Sequence, residues 1–418
     1  MSYDAKNKAA HDPSTPQALL DFMLQGWRAP GSGPADRIAG HERFAARRQA
    51  VSRLFPGETL VLPTGHEKAR ANDTYFRFRP ASDFYYLTGN TEPDCVLVMV
   101  PHAGGGHSEV LFVEPGGRQD ASFFTDRKSG ELWVGPRLGV EKSRDRFGVS
   151  ECRSLRELGA FMQELREREE TRKSIRVLRG FCPAVDAELS GGPNDGTFAE
   201  ALSEMRLLKD ELEIAELAAA IDSTRRGFED VIRGLPAAAS ERHVEGVFNL
   251  RARVEGNDVG YGTIAASGAH ACVLHWTRND GKLRQQDLLL LDAGVEANTL
   301  YTADITRTLP LSGRFSAEQR LVYDLVYRAQ REAMASVRPG VEFLEPNRVA
   351  MRILAAGLAD MGILKVSPDE ALREDRQLYR RYTLHNVSHM LGLDVHDCAR
   401  ARQESYKLGR LAPGMVLT

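Results

Sequence analysis

Leu288-Leu-Leu-Leu-Asp292-Ala-Gly-Val-Glu-Ala-Asn-Thr-Leu-Tyr-Thr-Ala-Asp304-Ile-Thr-Arg-Thr-Leu-Pro310 is the stretch on which the reading of this chain turns. An apolar run ends in a carboxylate, Asp292. A turn region follows from Glu296 to Thr299, and a second run carries Asp304. Leu288 to Leu291 is too short for an independent helix and reads as a buried strand. Leu300-Tyr-Thr-Ala and Ile305-Thr-Arg-Thr-Leu are rich in β-branched and aromatic residues and read as its partner. The pattern predicts a hairpin with both Asp residues near the middle of a buried sheet. Ionised carboxylates there are costly unless a positive charge meets them. A divalent cation held by hard oxygen ligands is the economical solution. The plainer reading has Asp292 opening a turn and Asp304 pairing with Arg307.

A second stretch favours the cation. Tyr382-Thr-Leu-His385-Asn-Val-Ser-His389-Met-Leu-Gly-Leu-Asp394-Val-His396-Asp397 holds three of the 11 histidines. Imidazole is a common metal ligand and proton carrier. No Glu follows His385, so the zinc-protease helix motif is absent.

Together these motifs resemble the metal centre of aminopeptidase P, the Xaa-Pro aminopeptidase branch of the pita-bread metallopeptidases. Gly260-Tyr-Gly-Thr-Ile-Ala-Ala-Ser-Gly268 and Leu274-His275-Trp276 resemble the segment preceding the first Asp of that family. Arg79 to Gly89 and Glu131 to Gly139 resemble its amino-terminal domain. The resemblance runs from about Glu42 to the last residue. It implies an α/β (α+β) chain: a mixed α/β amino-terminal domain, then a pita-bread (creatinase/aminopeptidase-like) catalytic domain. It also implies a homo-oligomer, dimer or tetramer.

The composition fits. The chain has 418 residues, 42% of them hydrophobic, more than one core usually holds. A net charge of −3 leaves no basic surplus for nucleic acid or an anionic membrane. Five scattered cysteines without CxxC spacing suit a reducing compartment. There is neither a signal-like apolar region at the start nor a run of membrane-span length, so the expected setting is the cytoplasm.

In chain order, residues 1–40 read as a polar extension with a short amphipathic segment, Pro16 to Trp27. Residues 41–195 form the expected first domain and 196–418 the second, divided near Ser190-Gly-Gly-Pro-Asn-Asp-Gly196. A helix is expected from His41 to Phe55, then strands at Thr59–Leu62, Cys95–Val100 and Glu109–Val113. Ala103-Gly-Gly-Gly106 joins two strands with no Lys-Ser/Thr behind it, so it is a hairpin loop and not a phosphate cradle. The aromatic patch Phe84-Tyr85-Tyr86 reads as core. The densely charged Gln163 to Lys173 reads as a solvated helix face. Asp210 with Glu213 predicts a capping box, and Ile214, Leu217, Ile221, Phe228 and Ile232 mark the apolar face of the helix it opens. A second helix covers Glu241 to Arg253. Strands are expected at Tyr261–Ala266 and Ala271–His275. After Gly313 the order recurs: Ser316 with Gln319 caps a helix to Val337, a second helix spans Pro346 to Met361, and a strand starts at Met415. Two helices then strands, twice over, suggests a pseudo-duplication.

The resemblance implies two divalent ions. Asp292 would ligate one, Asp304 both and His389 the other. An oxygen-dominated set with one imidazole favours manganese over zinc. Such ions lower the pKa of a water and polarise the scissile carbonyl. His396 and His275 would hydrogen-bond the substrate carbonyl and developing oxyanion, and His385 would line a prolyl pocket. The implied activity is release of the first residue from peptides with proline second. Met390 stands where an aromatic is common in the family. Two further Glu ligands would be expected beyond Thr418, so the chain is expected to be a fragment of a longer one. Rival readings are an Xaa-Pro dipeptidase (prolidase), a methionine aminopeptidase, and a non-catalytic pita-bread binding protein.

Overall fold

The computed structural model describes residues 15–26, 35–72, 74–116, 120–168, 174–189, 191–192 and 194–418. Much of the expected 1–40 extension, the end of the charged 163–173 segment, and Ser190 and Pro193 lie outside the described residues. The chain forms two compact units, Met1–Ala199 and Glu200–Thr418.

In the first unit, the amphipathic segment is a short helix α1 (Gln17–Met23), and His41 opens α2 (His41–Leu54), which Pro56 and Gly57 follow. The alternating and apolar runs become β1 (Thr59–Pro63), β2 (Val96–Pro101) and β3 (His107–Val113). β2 and β3 pair antiparallel from Val96↔Phe112 to Pro101↔His107, so the Gly run is a hairpin loop. With β4 (Glu151–Ser154) and β5 (Ile175–Val177) they make a sheet of order β4-β3-β2-β1-β5. Val61, Val98, Val110 and Phe112 pack there against Leu158, Met162 and Leu165. Phe84, Tyr85 and Tyr86 are buried, as core residues should be.

The second unit opens with the expected capping box. Oδ1 of Asp210 accepts the Glu213 N–H at 2.8 Å, and Glu213 returns an acceptor to the Asp210 N–H at 2.9 Å. The helix α3 (Glu211–Gly234) buries a different face from the one expected. Leu217 and Phe228 do point inward, but Ile214, Ile221 and Ile232 are 44%, 40% and 50% exposed. Polar anchors decide this. Tyr301 donates its hydroxyl to Glu213 at 2.7 Å, and Thr224 accepts the Val295 N–H at 2.9 Å. The inward face therefore runs through Glu213, Leu217, Ala220, Thr224, Phe228 and Val231.

α3 and α4 (Glu241–Glu255) back a three-stranded antiparallel sheet, β6 (Ile264–Ser267), β7 (Leu288–Ala293) and β8 (Ile305–Pro310), with β7 central. The strand pleat sends alternate side chains to opposite faces. Leu289, Leu291 and Ala293 go into the core with Phe228, Val244 and Phe248. Asp292 therefore lies on the other face, opposite the helices. Two expectations change here. The Asp residues sit at the ends of their strands and not near the middle: Asp292 is the penultimate residue of β7, and Asp304 directly precedes β8. Leu300 to Ala303 contributes only a bridge, Thr302↔Glu296. Gly294 is required between them, because a Cβ there would fall 1.7 Å from the Ala303 carbonyl oxygen.

Ala271–His275 is not a strand. A 3-10 turn, Gly268–Cys272, runs into an irregular segment. The helix pair recurs as α5 (Ala317–Ser336, capped by Ser316 and Gln319) and α6 (Glu345–Asp360). The strands do not recur. Among the described residues the later half shows only bridges, Glu342↔Arg410 and Met390↔Leu417.

Candidate metal centre

The hairpin delivers two carboxylates to one place. The Tyr261 hydroxyl lies 2.6 Å from Oδ1 of Asp292 and 2.8 Å from Oδ1 of Asp304. A phenol has one proton, so it can serve only one of these acceptors fully at a time. His389 reaches the same spot, with Nε2 3.2 Å from Oδ2 of Asp304. Backbone bonds bring it there. Thr302 N–H donates to Gly392 O at 3.0 Å, tying the 389–397 loop to the hairpin.

The electrostatics show a shortage of positive charge. Burial raises Asp292; the Tyr261 hydrogen bond opposes this and Asp304 adds to it, and the net shift is upward. Burial also pushes Asp304 up, but bonds from His389 and Tyr261 outweigh it and hold Asp304 below the usual range. Burial would lower His389, yet Asp304 and the Met390 carbonyl leave it raised. Burial, with both carboxylates beside it, pushes Tyr261 far up. Two negative groups thus share one imidazole.

The other histidines gather nearby. The rings of His389 and His396 are 4.4 Å apart at 81°. Burial and then His389 lower His396, Asp304 opposes, and His275 and His385 add to the lowering. His275, His385 and His396 are exposed. His385 also lines an open cavity of about 800 Å³ with Asn347, Met351, Tyr379 and Arg380, which includes neither Asp. His396 is fixed through its neighbour: buried Asp397 accepts from Lys209 at 2.9 Å and faces Arg206 at 3.5 Å.

Carboxylate oxygens from two Asp residues together with one imidazole nitrogen suit a hard or borderline divalent cation. The convergent, under-neutralised carboxylates fit such an ion. Tyr261, Lys209 and Arg206 had no assigned role in the sequence reading. Their signal is contact across 31 residues for Tyr261–Asp292 and 188 for Lys209–Asp397, which no local pattern carries.

Comparison with known proteins agrees with this chemistry. Residues 215–418 match the family model for metallopeptidase family M24, and residues 44–174 match the aminopeptidase P N-terminal domain. The chain is 47% identical over 412 residues to Xaa-Pro aminopeptidase 1 of Streptomyces coelicolor, covering 97% of this chain and 82% of the relative. It resembles the low-pH form of aminopeptidase P from E. coli with a TM-score of 0.80 and 30% identity, covering 91% of this chain and 86% of the other. A Zn-substituted form of the E. coli protein in complex with product gives a TM-score of 0.79 at 30% identity, with the same coverage.

Proposed function

The chain belongs to the aminopeptidase P branch of metallopeptidase family M24, and from that membership we propose that it releases the first residue of peptides whose second residue is proline. It is a metal-dependent aminopeptidase with the pita-bread architecture. The prolidase alternative is not favoured by its relatives.

In this reading Asp292, Asp304 and His389 hold divalent ions. The meeting of both carboxylates at one tyrosine hydroxyl, with the His389 imidazole on the far oxygen of Asp304, is the observation that supports it. When bound, such ions supply Lewis acidity toward a water and the scissile carbonyl. The chain's own groups do the rest. Nδ1 of His389 donates to the Met390 carbonyl at 3.1 Å, which presents Nε2 inward. His396, held low and therefore neutral near pH 7, keeps an N–H to offer a substrate carbonyl and a lone pair for a proton. His275 takes the same substrate side, and His385 lines the pocket for proline. Proline in second position has no N–H and a fixed φ, so a site that does not ask for that N–H accepts it.

Manganese is the proposed ion, on the oxygen-dominated donor set. The same reading keeps an extension over 1–40, domains at 41–195 and 196–418, a dimer or tetramer, and a cytoplasmic setting, the last supported by five free cysteines. No helix among the described residues is long and apolar enough to cross a membrane.

The test is hydrolysis of Ala-Pro-Ala, Ala-Pro and Met-Ala-Ala by the manganese-loaded protein. Release of alanine from the Pro tripeptide is expected. Turnover of the dipeptide alone would indicate a prolidase, and preference for Met-Ala-Ala would overturn the proline reading.

A further inference from the structure

His275 sits on an irregular segment, 268–281, that leaves the end of β6 and has no ladder to hold it. One side chain grips it instead. Glu241, the first residue of α4, is fully buried. Its Oε1 accepts the Ser267 N–H at 2.7 Å and faces Nδ1 of His270 at 2.9 Å. Its Oε2 accepts the Trp276 indole N–H at 2.9 Å and the Gly281 N–H at 2.7 Å. Both ends of the segment and two side chains between them thus meet on a single carboxylate. Gly281 is needed for this approach, since a Cβ there would lie 2.8 Å from the carboxylate atoms.

The rings add stiffness. His270 stacks on Trp276 with centroids 3.9 Å apart, and the Arg278 guanidinium lies 5.0 Å from the Trp276 ring centre. Asn279, fully buried, takes the Ala265 N–H at 3.0 Å and donates to Thr263 O at 2.8 Å, replacing a strand rung. Glu241, His270 and Asp280 are close enough to suggest a cation. The chemistry speaks against one. Each Glu241 oxygen already has two donors, and Asp280 pairs with Arg278 at 2.8 Å. Burial alone would raise Glu241, but its donors outweigh burial and keep it ionised.

We propose that Glu241 is a positioning residue for the aminopeptidase reaction, holding the 268–281 segment so that His275, adjacent to Trp276, is presented to the substrate carbonyl. This rests on the substrate role proposed above for His275. Removing this hydrogen-bonded anchor shifts geometry and does not remove a reacting group. The loss should therefore appear in kcat far more than in KM or metal content, at about 10- to 100-fold.

The experiment compares E241Q, H275A and the double variant in the full-length, metal-loaded protein. It also follows hydrogen exchange over 267–281 and Trp276 fluorescence in a W27F/W133F background. Three results are expected together: faster exchange confined to 267–281 and a red-shifted Trp276 emission in E241Q, a reduced kcat in both single variants, and a double variant no worse than H275A within about twofold. Unchanged exchange and emission in E241Q would overturn the proposal. So would a kcat penalty of E241Q that persists in full on top of H275A. Wild-type kcat/KM in H275A is a separate outcome, which removes the substrate role of His275 and the proposal with it. If E241Q does not fold, W276F decides through the same exchange and double-variant comparison, because it deletes one donor and keeps an aromatic ring.

Discussion

Nε2 of His389 stands 3.2 Å from Oδ2 of Asp304, while Nδ1 of the same ring faces the Met390 carbonyl oxygen at 3.1 Å. A carbonyl only accepts, so Nδ1 carries a proton in either charge state, and Nε2, which bonds Asp304, is the nitrogen that would give up its proton to become a ligand. In the proposed centre a backbone bond therefore sets the tautomer that a metal would need, and the Asp304 contact marks where the ion would sit.

Asp304→Ala and His389→Ala should each weaken metal binding by at least about 100-fold, above the usual effect of losing an outer hydrogen bond to a ligand. Metal content after dialysis, measured by mass spectrometry, checks this. Full occupancy in either variant would remove that residue from the ligand set.

Tyr261→Phe should matter more without metal than with it. The hydroxyl lies between two carboxylates, and losing a buried hydrogen bond of that kind costs about 1–3 kcal/mol. An ion offsets the repulsion that the hydroxyl relieves. Addition of manganese should thus raise the unfolding temperature more in the variant than in the parent protein. Equal increments would show that the hydroxyl and the ion act independently.

His396→Ala should lower kcat strongly while leaving metal content unchanged. The ring is exposed and lies beside His389 without touching either Asp in the hydrogen-bond network. Loss of a metal equivalent in this variant would make it a ligand instead.

Glu255→Gln tests the joint between α3 and α4. Arg226 and Arg251 both bind Glu255, at 2.6 Å each at closest, and hold its carboxyl at about 2. A carboxylate lowered on folding adds stability that is complete above its unfolded value near 4.5 and declines as the pH falls toward about 2. The variant should be less stable than the parent by roughly 1 kcal/mol at pH 7. Urea titrations should show the gap closing between pH 4.5 and about 2. A gap independent of pH would place the effect in packing.

The sequence by itself carried the parts of this protein that depend on near neighbours. Capping boxes at Asp210 and Ser316 are local, because their atoms are three residues apart. The β2–β3 hairpin and the Asp292/Asp304 and His385/His389/His396 clusters are likewise short-range spacings. Tertiary structure decided the rest. Which face of α3 turns inward was set by Tyr301 and Val295 seizing Glu213 and Thr224, so the isoleucines that looked like core were left outside. The segment around His275 looked like a strand from its apolar residues. It is irregular, and the Glu241 carboxylate on α4 takes the backbone N–H groups on either side of it, at Ser267 and Gly281, where a strand would have paired with a neighbour. Tyr261 gained its place between two carboxylates only when the sheet brought residue 261 to residues 292 and 304. Hydrophobic periodicity reports how much apolar surface an element has to bury. Where a buried polar group must find its partner, the cost of leaving it unpaired exceeds that of exposing an isoleucine, and only the folded chain shows who the partner is.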